Sequence, residues 1–389
     1  MKQSGSVRLF ISVGERSGDV HAANLIRSVR SLRPEVEFEG LGGPGMARAG
    51  CFLHRDMLDL SVMGVTFLGH LWDFLGLIRR FWWLIRERPP AALVLVDFPG
   101  LHFILARLAR MRGIPVIYYI CPQIWGWAPW RRRKILRLTD LLMVILPFEV
   151  ELYRNSRTPV AYVGHPLADE LLGQSAEEDG AALRERLDLP PGGRVVGLFP
   201  GSRRQEVKAL MPLLSKLVEG MELDPALHRV IVSSCQPDFR PVIEDALRGT
   251  HTPWEVWEGD ARAQMAASDF ALVASGTATL ELAFFGKPML VLYRLSTAAM
   301  LVYRMLAVNP FISLVNILGR GEVVPERMVS RADSAELSAL ARSLFLDTPQ
   351  RELCLRRLAR VHEEVFQPGG IERTARTLVE FLGKRGLLP

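Results

Sequence analysis

Cysteine is scarce in this 389-residue chain, and Cys51, Cys121, Cys235 and Cys354 lie far apart, with no Cys-x-x-Cys pair and no histidine at ligand spacing. That excludes a zinc ribbon and a disulfide framework and fits reduced, mostly buried thiols. Long apolar runs are missing as well. The longest uncharged stretch, 113–130, is broken by Pro115, Pro122 and Pro129, whereas a membrane-spanning helix needs about 20 mostly apolar residues. No basic-then-apolar leader opens the sequence: Val7–Val13 has only the length of a strand and Gly14-Glu15 follows at once, so a cytoplasmic protein is expected. Low-complexity tracts are absent, which excludes a disordered or fibrous chain.

What is present is a folded protein large enough for two cores. Its hydrophobic share is 49%, and single cores usually split beyond about 250–300 residues. The formal charge of +6 is uneven: residues 1–165 carry 22 Lys/Arg against 13 Asp/Glu, the remainder 26 against 29. A basic first part points to an anionic partner, whether nucleic acid, phospholipid surface or phosphorylated substrate.

Short β-branched runs alternate with helix-length periodic segments, the pattern of parallel sheets built from βαβ units. Strands are expected at Val7–Val13, Val36–Leu41, Ala92–Asp97, Val116–Cys121, Leu141–Leu146 and Val160–Val163, with a helix from about Asp19 to Leu32. This first doubly wound domain would end near Asp169, within a span set at 1–172. The polar and Pro/Gly-rich stretch 173–193 reads as a linker. A second series follows over 194–365, with strands at Val195–Phe199, Arg229–Ser233, Glu255–Trp257, Phe270–Ala274 and Met289–Tyr293. The tail from Ser334 to Leu382 is helical with a break at Gly369-Gly370, and the helix within 366–389 either returns to the first domain or exchanges between protomers of a homodimer. The fold class is thus α/β, two doubly wound Rossmann-like domains facing a cleft, with motifs at the strand ends.

Gly14-Glu15-Arg16-Ser17-Gly18-Asp19 follows the first strand and opens a helix, either as a capped turn or as a place where backbone N–H groups face a ligand. Asp97 ends Leu93-Val94-Leu95-Val96 and is either the cap of a helix starting near Leu101 or a strand-end general base. In the second domain Gly201-Ser202-Arg203 and Ser275-Gly276-Thr277 each open a helix after a strand, and Glu281 lies one turn into the latter. Two anion-suited helix starts in one domain suggest a nucleoside diphosphate, and no Asp-x-Asp pair accompanies them to hold a metal. Residues 71–85 are apolar on more than one helical face, with three Trp and Arg79, Arg80, Arg86 and Arg88 at one end. Leu71, Trp72, Leu75, Ile78, Arg79, Arg80, Trp82 and Trp83 would then contact an anionic membrane surface, the alternative being a deeply buried helix. Arg131-Arg132-Arg133-Lys134 beside Trp125, Trp127 and Trp130 also suits nucleic acid, but no recognised nucleic-acid-binding module surrounds it.

Taken in order, the chain resembles the bacterial lipid-A-disaccharide synthases. The resemblance is carried by Gly14-Glu15-Arg16-Ser17-Gly18-Asp19 together with Gly43-Pro44-Gly45-Met46, Val62-Met63-Gly64, Asp97-Phe98-Pro99, Pro122–Trp127, Leu146-Pro147-Phe148-Glu149 and Gly164-His165-Pro166, then by Pro200–Arg203, Ser275–Glu281 and Ser313-Leu314-Val315-Asn316. It implies a glycosyltransferase-B fold and metal- and cofactor-independent transfer of 2,3-diacylglucosamine from UDP-2,3-diacylglucosamine to the 6-hydroxyl of 2,3-diacylglucosamine 1-phosphate, with inversion. It further implies peripheral attachment to the inner face of the cytoplasmic membrane, no nucleic-acid partner, and a monomer or homodimer. On this likeness Asp97 is the base and Glu15 a second candidate for proton transfer; Ser17, Gly18 and Asp19 line the acceptor side. Gly201, Ser202, Arg203, Ser275, Gly276, Thr277, Glu281 and Asn316 bind UDP. The chain departs from the family where Asp-Phe-Asn commonly follows Asp-x-Pro: Gly100-Leu101-His102 stands there instead. It departs again where Pro325-Glu326-Arg327-Met328-Val329 replaces the usual Pro-Glu-x-x-Gln.

Overall fold

The computed structural model describes residues 6–57, 71–122, 124–127, 129–172, 176–293, 310–328 and 333–388. The Val62-Met63-Gly64 motif, Gln123, Val329 and the side chain of Leu71 lie outside the described residues. The chain divides into two units, Met1–Asp169 with Gln367–Pro389, and Glu170–Phe366.

Unit 1 holds a seven-stranded sheet in the order β3-β2-β1-β4-β5-β6-β7. The strands are β1 (Val7–Ser12), β2 (Val36–Gly42), β3 (Cys51–Asp56), β4 (Ala92–Val96), β5 (Val116–Tyr119), β6 (Leu141–Val144) and β7 (Val160–Tyr162). All pairings are parallel, with Ser12 level with Leu95 and Val96 level with Tyr119. Every side chain of β4 is buried, as an Ala-Leu-Val-Leu-Val run covered on both faces requires. Strand order reverses between β1 and β4, so the loops leaving these two strands bound the crevice where doubly wound sheets take ligands.

Unit 2 repeats the plan with six parallel strands in the order β10-β9-β8-β11-β12-β13. These are β8 (Val195–Phe199), β9 (Arg229–Ser233), β10 (Trp254–Trp257), β11 (Phe270–Ala274), β12 (Met289–Tyr293) and β13 (Glu326–Met328). Its reversal lies between β8 and β11, the strands that precede Gly201-Ser202-Arg203 and Ser275-Gly276-Thr277.

The sequence reading differs from the structure in identifiable places. Strands β3 and β13 are absent from it because Cys-Phe-Leu-His-Arg-Asp and Glu-Arg-Met carry edge-strand polarity without apolar alternation. The first helix begins at Arg16, not Asp19, and Asp97 lies beyond β4, where its φ of 52° leaves the extended region. Residues 173–193 are not merely a linker: Ala176–Arg186 is a helix of unit 2 that packs on the helix Ala261–Ala267, burying Ala176, Gly180 and Leu183. The tail breaks at Leu346–Thr348 as well as before Gly370, giving helices Ser334–Phe345, Pro349–Val365 and Gly370–Lys384. The last of these packs on the helix Arg16–Leu32 of unit 1.

Helix Leu71–Glu87 is two-faced. Leu77, Phe81 and Ile85 are buried in the unit 1 core, and Ile78 and Trp82 pack partly against it. Trp72, Leu75 and Trp83 are 81%, 45% and 60% exposed, beside exposed Arg79 and Arg80. This answers the choice between buried and interfacial helix with both: a 3.6-residue period gives one face to the core and leaves the other out. Ile78 and Trp82 therefore belong largely to packing. No helix among the described residues is long and apolar enough to cross a membrane.

Candidate active site

In unit 1 the motif after β1 and the motif after β4 are locked together by an aromatic ring. A Cβ on Gly14 would lie 2.1–2.5 Å from three ring carbons of Phe98, so only glycine leaves space for that ring. Phe98 and Asp97 are consecutive non-glycine residues with φ of 51° and 52°, a conformation that costs free energy and persists where surroundings enforce it. The enforcing contacts meet the Asp97 carbonyl. Tyr118 Oη donates to it at 2.8 Å and His102 Nδ1 at 2.6 Å. The helix Pro99–Met111 begins directly after, with Phe98 in the N-cap position and no side-chain cap, so Asp97 is not the cap.

The Asp97 carboxyl is raised above the ordinary range, first by burial and then by the charge of Glu15, against the opposing effects of the Phe98 N–H and of His21. Glu15 and Ser17 are exposed at the start of helix Arg16–Leu32, and Glu15 makes no side-chain cap there. The structure thus brings Glu15 and Asp97 into one electrostatic neighbourhood. Asp19 is different. Its buried carboxylate accepts the N–H groups of Gly43 (3.0 Å), Gly45 (2.8 Å) and Met46 (3.0 Å), tying the Gly43–Met46 turn to the first helix. The expected contact of Asp19 with an acceptor is replaced by that scaffolding bond set, and Gly18, also buried, packs on Val13.

Two further buried groups flank this end of the sheet. His165 accepts the Leu167 N–H on Nδ1 at 3.2 Å, and burial pushes its pKa down to about 3. Glu149 accepts from Leu146 N (3.1 Å) and Trp125 Nε1 (3.3 Å), and burial carries it up to about 7. The basic patch is partly structural: the Arg132 guanidinium donates to the carbonyls of Leu152 and Arg154, and Lys134 sits 4.6 Å from the Phe103 ring centroid.

In unit 2, Gly201 has φ of 113°, reserved in practice for glycine, and turns the chain from β8 into the helix Arg204–Gly220. Arg203 precedes that helix with its side chain 73% exposed, held by Glu206 at 3.0 Å. Ser202 is exposed too, and the Cys235 thiol lies 3.8 Å from its carbonyl oxygen. After β11, Gly276 and Thr277 are exposed at the start of the helix Ala278–Phe284, and a Cβ on Gly276 would meet nothing within 4 Å. Glu281 is largely buried, its Oε1 held by Arg262 at 3.2 Å; burial raises its pKa and Arg262 opposes the rise.

Asn316 does not offer its side chain to a ligand. It is fully buried, its Oδ1 accepts the N–H groups of Val323 (2.7 Å) and Val324 (2.9 Å), and its Nδ2 donates to Val324 O and Glu326 Oε2, both at 2.9 Å. With both donors and both acceptor positions occupied, the amide shapes the loop between Ser313 and Glu326. Glu326 completes the knot by accepting from Ile312 and Ser313 N–H. Sequence reasoning missed Arg262, Tyr118 and Ser12, polar residues inside otherwise unremarkable helix or strand text, and it noted His102 only as a departure.

Comparison with known proteins follows the same line. The family model described as lipid-A-disaccharide synthetase matches residues 9–366. The lipid-A-disaccharide synthase of Geobacter sulfurreducens is 36% identical over 396 residues, covering 99% of this chain and all of that protein. That of Azotobacter vinelandii is 38% identical over 345 residues, 86% of this chain and 88% of its own length. Among solved structures, UDP-GlcNAc 2-epimerase from Neisseria meningitidis bound to UDP-GlcNAc aligns with a TM-score of 0.60 at 14% identity, covering 97% and 100% of the two chains. Acinetobacter baumannii MurG aligns at 0.58 and 12%, covering 96% and 99%. These structural likenesses speak for the fold.

Proposed function

This chain belongs to the lipid-A-disaccharide synthetase family and is a disaccharide-forming glycosyltransferase of the glycosyltransferase-B fold, and from that premise we propose how its residues divide the reaction. The donor is UDP-2,3-diacylglucosamine and the acceptor 2,3-diacylglucosamine 1-phosphate. Asp97 takes the proton of the acceptor 6-hydroxyl as that oxygen bonds to the anomeric carbon; the carbon–oxygen bond to UDP breaks on the opposite face, inverting the centre. Burial, by raising its proton affinity, makes Asp97 a better base than a solvated carboxylate.

Unit 2 holds the leaving group. Gly201, Ser202 and Arg203 take the diphosphate with the Ser275-Gly276-Thr277 helix start, where backbone N–H groups and a guanidinium offset the negative charge that develops on UDP. Glu281, anchored on one oxygen by Arg262, accepts from the ribose hydroxyls with the other. Glu15 and Ser17 stand on the acceptor side. The observation that supports this reading is the left-handed backbone of Asp97 at the reversal of strand order, the crevice where doubly wound sheets take ligands.

Acylated substrates arrive from a bilayer, and the outer face of helix Leu71–Glu87 suits its anionic inner leaflet: Trp72, Leu75 and Trp83 at the headgroup boundary, Arg79 and Arg80 beside them. The test of the reaction is Asp97→Asn. Turnover, followed as UDP release with both lipid substrates, should fall at least about a hundredfold while UDP affinity by calorimetry stays within a factor of about two. Near-wild-type turnover would remove Asp97 from the role of base.

A further inference from the structure

His102 is buried completely on the helix Pro99–Met111, and its two ring nitrogens face two different strand ends. Nδ1 lies 2.6 Å from the Asp97 carbonyl oxygen and Nε2 lies 3.0 Å from Ser12 Oγ, at the end of β1. A carbonyl can only accept, so the ring proton is on Nδ1, and Nε2 accepts the Ser12 hydroxyl. The ring is neutral at ordinary pH, since burial pushes it down to about 4. Tyr118, on β5, adds a second donor to the same carbonyl, and burial keeps its hydroxyl protonated. One oxygen is therefore gripped by groups from the neighbouring strand β5 and from the following helix, and through His102 it is linked to β1. These are consecutive strands in the order β1-β4-β5.

We propose that His102 is a positioning residue for Asp97: with Tyr118 and Ser12 it clamps the peptide between residues 97 and 98 in the left-handed conformation, and so aims the carboxylate without touching it. The donors are spent on the backbone carbonyl, which leaves the side chain for the acceptor hydroxyl. Without them the peptide would relax toward the extended or right-handed regions that a non-glycine residue prefers, and the carboxylate would swing with it. A displacement of about 1 Å at a reacting group costs on the order of a hundredfold in rate. The inference rests on the assignment of Asp97 as base.

The geometry also says which substitution should rescue. Asparagine Nδ2 is bonded to Cγ just as histidine Nδ1 is, so an Asn at 102 presents an N–H to the Asp97 carbonyl from the same place, while losing the Ser12 link. Leucine has similar bulk and no donor. With UDP-2,3-diacylglucosamine and the diacylglucosamine phosphate as substrates, His102→Leu should lower kcat by about 30-fold or more, with KM for both substrates within about threefold and UDP affinity unchanged. H102N should recover most of that loss, and Tyr118→Phe should give a smaller loss of the same kind. In an Asp97→Asn background, His102→Leu should cost nothing further, because the group it aims is gone. Should H102L lack a cooperative melt, Tyr118→Phe, which keeps the ring, carries the same comparison. Equal impairment of H102L and H102N, a full additional loss on top of Asp97→Asn, or turnover within threefold of wild type in both H102L and Y118F would each overturn the clamp. Failure of the base assignment is read separately, from Asp97→Asn alone.

Discussion

Replacing Gly14 by alanine tests the coupling between the turn after β1 and the turn after β4. The new methyl would lie 2.1, 2.2 and 2.5 Å from Phe98 Cγ, Cδ1 and Cδ2. Ordinary carbon contacts are about 3.5–4.0 Å, so the overlap is about 1.4 Å and cannot be absorbed by small adjustments. Gly14 has no left-handed φ, so the penalty comes from the ring alone. Overpacking of this kind costs about 1–3 kcal/mol, equivalent to roughly 2–4 °C in Tm per kcal/mol for a unit of this size. Phe98 is the neighbour of Asp97 in the strained pair, so moving its ring moves the proposed base, and kcat should fall by about a hundredfold. The assay is thermal unfolding alongside UDP release for Gly14→Ala, Phe98→Ala and the double variant. Removing the ring makes room for the methyl, so the double variant should lose less Tm than the two single losses added. Unaltered Tm and turnover in Gly14→Ala, or strictly additive losses in the double variant, would refute the reasoning.

Other outcomes follow from buried and exposed groups. Burial pushes Glu149 up to about 7 from an ordinary 4.5, so its contribution to stability is complete below pH 4.5 and is lost as pH rises through 7, roughly 3 kcal/mol in all. Denaturant unfolding across pH 4–8 should show that slope in the wild type and its loss in Glu149→Gln. Cys51, Cys121 and Cys354 are buried while Cys235 is exposed beside the Gly201 and Ser202 carbonyls; a maleimide should modify one thiol in the native protein, and saturating UDP should slow it, as intact-mass spectrometry would record. Substituting Trp72, Leu75 and Trp83 together by serine should move the protein from sedimenting anionic vesicles into the supernatant with Tm changed by no more than a few degrees, whereas Phe81→Ser, in the core, should cost several kcal/mol.

The elements legible in the sequence were those whose pattern has one physical meaning. Short β-branched apolar runs such as Ala-Leu-Val-Leu-Val, bounded by turn residues, read as strands covered on both faces, and β8, β9, β11 and β12 stand at the expected residues. The strand ends carrying Asp97, Gly201–Arg203 and Ser275–Thr277 were legible for the same reason, since turn residues after a buried strand mark its end. The partners were not legible. Asp19 and Asn316 sit in motifs that resemble ligand contacts, yet their atoms are consumed by backbone groups 24 to 27 and 7 to 8 residues away. Nor does a one-dimensional pattern report that Tyr118 and His102 converge on one carbonyl, because that depends on strand order. Helix Leu71–Glu87 was read from its apolar content on several faces, and only packing shows that Ile78 and Trp82 turn inward.

Asp169 accepts the N–H groups of Gly369 (2.5 Å) and Ile371 (2.7 Å), so the strand of chain leaving unit 1 and the one re-entering it are stitched to each other at the doorway. Unit 2 is in that sense a cassette spliced into unit 1, and unit 1 cannot dock its last helix until a ribosome has made everything up to residue 384. The cassette, complete by Phe366, has the earlier opportunity to fold. Genetically, the same stitch marks where a short bridge from 169 to 367 would close the host without its insert, giving the two units as separate polypeptides.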